Sequence, residues 1–93
     1  VLQRDEADPL RRGRPGKVGG MMICRQMPPT AKGICFISLE DETGIANLVV
    51  PSEVYARCRQ EIHGALFLVG EGMLERSGKV TNVKTRSVVS VRQ

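Results

Sequence analysis

The sequence predicts an all-β domain with one helix, a five-stranded Greek-key barrel in which the helix lies between strands three and four. Three observations predict it. The run from Ile34 to Val50 spells a strand, a charged turn and a second strand; an apolar spacing of four after Pro51 marks one short helix; and glycines interrupt the long apolar segments where strands must coil. Ninety-three residues suffice for a single core, with no room for a catalytic domain beside a cofactor domain.

The elements follow in order. Residues 1–16 mix Asp5, Glu6 and Asp8 with Arg11, Arg12 and Arg14 and offer almost nothing to bury, so they read as a flexible linker or arm, with the folded domain over 17–93. Arg12-Gly13-Arg14-Pro15 matches the core of an AT-hook, whose arginines enter a narrow minor groove, but four residues of such composition arise easily by chance and the segment is read as a solvated basic linker. Because the chain starts at Val1 rather than Met, it is expected to be a piece of something longer. Strand one runs from Lys17 to Met27 with a bend at Gly19-Gly20, and Pro28-Pro29 ends it. Ile34 to Asp41 and Ile45 to Val50 form strands two and three around the turn residues Glu40 to Gly44. Val54, Cys58 and Ile62 then stripe one face of a helix that Ser52 can cap and Gly64 ends, with Glu53, Arg57 and Glu61 four apart on the outer face. Ala65 to Glu75 and Val80 to Val91 supply strands four and five, joined through Ser77-Gly78. A flat sheet would leave both faces of strands three and four exposed, so closure into an OB-fold barrel is the economical solution.

A net charge of +4 and a pI near 9.4 favour an anionic partner. Cys24, Cys35 and Cys58 include no C-x-x-C pair and stand apart from the single His63, which argues against a zinc site or a disulfide framework and for small buried apolar groups in a reducing compartment. No apolar run approaches the ~20 residues that cross a bilayer, and the first residues lack the apolar segment of a signal peptide, so a cytoplasmic protein without membrane attachment is expected. No acid/base pair or nucleophile arrangement is visible and no cofactor is called for. Glu40, Asp41 and Glu42 read as a turn cluster in which Asp41 or Thr43 bonds the local backbone, and no metal ligand set is assigned.

The residues Thr30-Ala31-Lys32-Gly33, Phe36-Ile37 and Leu39-Glu40-Asp41-Glu42-Thr43-Gly44-Ile45-Ala46-Asn47-Leu48-Val49-Val50 resemble the OB domain in the C-terminal part of bacterial DNA polymerase III alpha subunits, above all the error-prone branch. Arg25-Gln26 and the strand from Leu66 to Arg76 also fit, and the similarity covers about residues 17 to 88. Pro51 stands where family members commonly carry an aromatic residue, which removes a stacking ring at that position. The resemblance implies a module that binds single-stranded template DNA, attached to the remaining domains of a polymerase whose active site lies elsewhere, with translesion accessory proteins as further partners. An alternative is a protein-interaction barrel within the same complex. The strand pair is also similar to the anticodon-binding OB domain of class II aminoacyl-tRNA synthetases, in which residues at the places of Phe36 and Asn47 stack on and read a base.

Alternation along strand two places Cys35, Ile37 and Leu39 on one face and Phe36, Ser38 and Glu40 on the other. With the first set as core, Phe36 and Ser38 face out, and Asn47 joins them from strand three as a base platform. Lys84 and Arg86, with Asn82, form a basic row on strand five suited to phosphates. Arg25 and Lys32 are expected to flank the platform on one side, and Arg76 and Lys79 on the other. Only Phe36, Tyr55 and Phe67 are aromatic, and the last two are assigned to the core, so binding should be weak and salt-dependent.

Overall fold

The computed structural model, which describes residues 13–91, contains strands β1 (Arg14–Gln26), β2 (Cys35–Asp41), β3 (Gly44–Val50), β4 (Phe67–Ser77) and β5 (Val80–Val91), with helix α1 (Ser52–Gly64) between β3 and β4. A short 3-10 turn, Pro29–Ala31, sits in the β1–β2 loop. The strands close in the order β1-β2-β3-β5-β4, the OB-fold barrel expected from the sequence. All neighbours are antiparallel except β3 and β5, which run parallel. A parallel pair needs a crossover connection, and α1 with β4 provides it.

Apolar alternation explains the closure. Ile37 and Leu39 from β2, Leu48 and Val50 from β3, Leu68 from β4 and Val83 and Val88 from β5 meet inside the barrel, each no more than 2% exposed. Val54, Cys58 and Ile62 of α1 join the same core. Complete burial of a side chain such as Leu48 contributes about 1.5–3 kcal/mol, and these residues do so without polar atoms to satisfy.

β1 is long enough to serve two neighbours. Residues 14–21 pair with β4, and residues 21–26 pair with β2 in a register that slips between Met22 and Cys24. The hand-over occurs at Met21, which pairs on both sides, and the adjacent Gly20 allows the close approach, since a Cβ there would stand 2.7 Å from the Glu40 carbonyl oxygen. A second irregularity opposes Glu71 and Gly72 of β4 to Thr85 and Ser87 of β5, leaving Arg86 as the extra residue. Gly72 permits this close approach, since a Cβ there would run into the carbonyl of Lys84.

Several local expectations change. β1 begins at Arg14 rather than Lys17, because Arg14 to Gly16 already pair with Leu74 to Gly72. Residues 1–12 of the expected arm, including Arg12 of the AT-hook-like match, lie outside the described residues, as does Arg92. Ser52 is the first helical residue and not a side-chain cap. Pro51 occupies the cap position, and its carbonyl accepts from the Tyr55 N–H at 2.8 Å. β4 starts at Phe67 rather than Ala65, and Phe67 is 40% exposed, so it is not a core residue. Tyr55 packs against the core as expected. Cys35 and Cys58 are buried but Cys24 is exposed, because its register partner Ser38 faces outward.

Candidate nucleic-acid interface

Two cross-strand rows organise the outer face of β2, β3 and β5. In the first, Ser38, Asn47 and Asn82 stand directly opposite one another. The Ser38 hydroxyl donates to Asn47 Oδ1 at 3.0 Å, and Asn47 Nδ2 donates to Asn82 Oδ1 at 3.3 Å. This ladder holds the Asn47 carboxamide in one orientation. The Asn82 amide nitrogen has no hydrogen-bond partner among the described residues, which leaves two donors turned toward solvent.

In the second row Gln26, Phe36, Val49, Lys84 and Met73 follow across β1, β2, β3, β5 and β4. Phe36 is 39% exposed, with its neighbours Cys35 and Ile37 buried. Its ring is therefore on the outside of the barrel. Lys84 lies two strands away in the same row, about 10 Å at the usual strand spacing. Between β3, β4 and β5 a groove of about 290 Å³ carries Val49, Met73 and Val83 as apolar lining, with Lys84, Asn82 and Glu75 as its polar groups. A flat ring, a fixed carboxamide, an apolar trough and a cation on one face can stack a base, bond its edge and meet a phosphate.

The other candidate residues are distributed more widely. Arg25 pairs with the inward-facing Ile37, so it takes the opposite side of β1 from Phe36, and Gln26 holds the place beside the ring. Arg25 lies instead near Cys35 and His63. Burial raises the Cys35 thiol pKa while Arg25 opposes that shift. Burial, aided by the charges of Arg25 and Arg59, lowers the His63 pKa, and the His63 Nε2 lies 2.5 Å from the Tyr55 hydroxyl. Lys32 is in the β1–β2 loop in the left-handed region, with φ of 56°. Arg76 and Lys79 belong to a pocket at the barrel end where β3 and β5 begin, away from the ring. The guanidinium of Arg86 is 3.3 Å from the Glu71 carboxylate, and Arg86 lies past Lys84, the last β5 residue paired with β3. The structure thus brings together Phe36, Ser38, Asn47 and Lys84, and separates Arg25, Arg76, Lys79 and Arg86 from them.

Gln26, Val49 and Met73 were not singled out from the sequence. A two-residue turn at Glu42-Thr43 would have revealed Val49, since counting back from it sets Phe36 opposite Val49 and Ser38 opposite Asn47. That turn is held by Asp41, whose Oδ1 accepts from the Thr43 N–H at 2.8 Å, the Thr43 hydroxyl at 2.7 Å and the Gly44 N–H at 3.1 Å. These bonds, the Thr43 hydroxyl first, hold the Asp41 pKa below its usual value. Among the described residues no group of three or more His, Cys, Asp or Glu is placed to hold a metal ion, and no described helix is long and apolar enough to cross a membrane.

No protein-family model matches the chain. It is similar to curated proteins described as error-prone DNA polymerases. The identity is 60% over 74 residues with that of Anaeromyxobacter dehalogenans strain 2CP-C, 46% over 74 residues with that of Pseudomonas aeruginosa strain PAO1, and 40% over 73 residues with that of Bdellovibrio bacteriovorus. Each match covers 78–80% of this chain, yet the chain spans only 6–7% of the length of these relatives. The chain is therefore related to one short segment of the error-prone polymerases, an OB-fold domain of the DNA polymerase III alpha-subunit family.

Proposed function

We propose that the barrel binds single-stranded DNA on its β2–β3–β5 face and serves as a template-handling module of an error-prone DNA polymerase in cytoplasmic replication and translesion repair. The observation that carries this reading is the exposed Phe36 ring beside the bonded row Ser38–Asn47–Asn82, with Lys84 in the ring's own row. A single ring on the face supports weak, salt-dependent binding that needs the remaining polymerase domains to add contacts. Translesion accessory proteins are further partners in this reading.

The test is an NMR titration of the chain with a mixed-sequence oligonucleotide. The amides of Phe36, Asn47 and Lys84 should shift, and the affinity should fall steeply as salt rises. No shift of these amides at low salt refutes the reading.

A protein-docking role is favoured by a different observation. Met21, Phe67 and Val91 stand in register across β1, β4 and β5, and each is 40–41% exposed. Affinity for a polymerase accessory subunit that survives Phe36→Ala and is lost in Phe67→Ser would assign the barrel to that role.

A further inference from the structure

A pocket of about 330 Å³ opens at the end of the barrel where β3 and β5 begin, opposite the end from which α1 departs. It lies where the first half of β1, paired only with β4, leaves the β2–β3 turn and the β4–β5 turn as its other walls. Arg14, Lys17, Arg76 and Lys79 all line it, against one acid, Asp41. The Asp41 oxygen that faces this turn already accepts three hydrogen bonds from Thr43 and Gly44. Among the described residues none of the four cations is in an ion pair. Lys17 stands opposite Glu71 across the strand pair, but Glu71 is engaged by Arg86 and Ser87.

The walls are rigid and apolar at depth. Leu39, Ala46 and Leu74 line the pocket, and Leu39 and Ala46 also belong to the buried core. The Ile45 N–H donates to the Lys79 carbonyl at 3.1 Å, which ties the β4–β5 turn to the start of β3. Arg76 Nε donates to the Gly78 carbonyl at 3.3 Å across the same turn. Arg14 is held by its pairing with Leu74. Cations gathered in a concavity with apolar walls repel one another and focus a positive field. An anion relieves that repulsion, and the groups are already positioned for it.

We propose that this barrel mouth is a phosphate-binding socket, distinct from the β2–β3–β5 face, that takes a phosphate group of a nucleic-acid strand. The choice of a nucleic acid as carrier rests on the function proposed above, whereas the recognition of a phosphate group does not. Arg14 and Arg76 offer forked donors for phosphate oxygens, Lys17 and Lys79 offer point charges, and Thr43 and Thr81 add hydroxyls at the rim.

The test titrates the isotopically labelled chain with inorganic phosphate against sodium chloride of equal ionic strength, then with a short oligothymidylate carrying or lacking a 5′-phosphate. Phosphate should shift the amides of Gly44, Lys79 and Thr81 saturably while those of Phe36 and Asn47 stay in place. In the variant carrying Arg76→Ala and Lys79→Ala, both exposed positions, affinity for phosphate should fall about ten-fold or more. A marked preference for the 5′-phosphorylated strand identifies a terminal phosphate as the natural occupant, and equal shifts at the mouth from both strands identify an internal phosphodiester. Chloride producing the same shifts as phosphate, or the double variant binding phosphate unchanged, overturns the proposal. Failure of the β2–β3–β5 reading would register separately, as unmoved Phe36 and Asn47 amides with either oligonucleotide.

Discussion

Replacing Phe36 by Ala and by Leu separates the ring's part in binding from its part in folding. Phe36 is 39% exposed, so about three-fifths of the residue is covered. Full burial of a Phe side chain is worth about 1.5–3 kcal/mol, which puts the stability cost of Phe36→Ala at about 1–2 kcal/mol. For a domain of this size that lowers Tm by about 5–15 °C. Stacking on one base contributes roughly 1–3 kcal/mol, so Phe36→Ala should weaken oligonucleotide binding about 5- to 150-fold. Phe36→Leu keeps most of the apolar cover but has no flat face, so Tm should move by only a few degrees while binding weakens nearly as much as in Phe36→Ala. Calorimetry gives the first quantity, and fluorescence anisotropy with a labelled oligonucleotide at low salt gives the second. If Phe36→Leu binds as tightly as the parent chain, the ring is not a stacking surface and the assignment of this face fails.

Leu48 is fully buried, and a Cβ at Gly70 would lie only 2.8 Å from its Cδ2. Leu48→Ala should therefore cost about 2–5 kcal/mol in urea denaturation, and a loss under 1 kcal/mol would contradict the packing described. Asp41 has its folded pKa held below the ordinary 3.8 by its bonds to Thr43 and Gly44, so its contribution to stability is complete above that value and is lost as pH falls through the folded value. The Tm difference between the parent chain and Asp41→Ala should accordingly be constant near neutral pH and shrink below about pH 4. A difference that grows on acidification would reverse the assignment. Native labelling with a maleimide should modify Cys24 rapidly and spare Cys35 and Cys58, which are buried. For Cys35 the raised thiol pKa slows reaction further. Mass spectrometry showing rapid modification at all three would contradict the burial pattern.

The hairpin of β2 and β3 was legible because two short-range signals agree there. Alternation assigned Phe36, Ser38 and Asn47 outward, and the turn chemistry of Asp41 to Gly44 closed the strands in a register that preserves it. The span of β5 was legible for a similar reason, since Val80 to Val91 is bounded by the Ser77-Gly78 turn on one side. The cationic candidates were not legible in the same way. Arg25 and Phe36 lie on different strands, and the slip between Met22 and Cys24 decides which β1 residue stands beside the ring. One residue of slip exchanges Arg25 for Gln26, because side chains alternate with a period of two.

Order along the chain, the identity of the strands and helix, and the inward and outward sets of β2 and β3 are local properties, carried by residue type and spacing between near neighbours. They were readable from the amino acids alone, as was the family likeness of residues 30–50, whereas Cys24 and Phe67, expected inside, are exposed because the pairing of β1 and β4 sets their sides. Which outer residues meet across strands is a long-range property, set by bulges, by closure and by the parallel pairing of β3 with β5. These bring Lys84 into the row of Phe36, leave Arg86 on Glu71 and carry Arg76 and Lys79 to the barrel mouth with Arg14 and Lys17. No spacing within one strand records the register between two, so that grouping emerges only when the sheet closes.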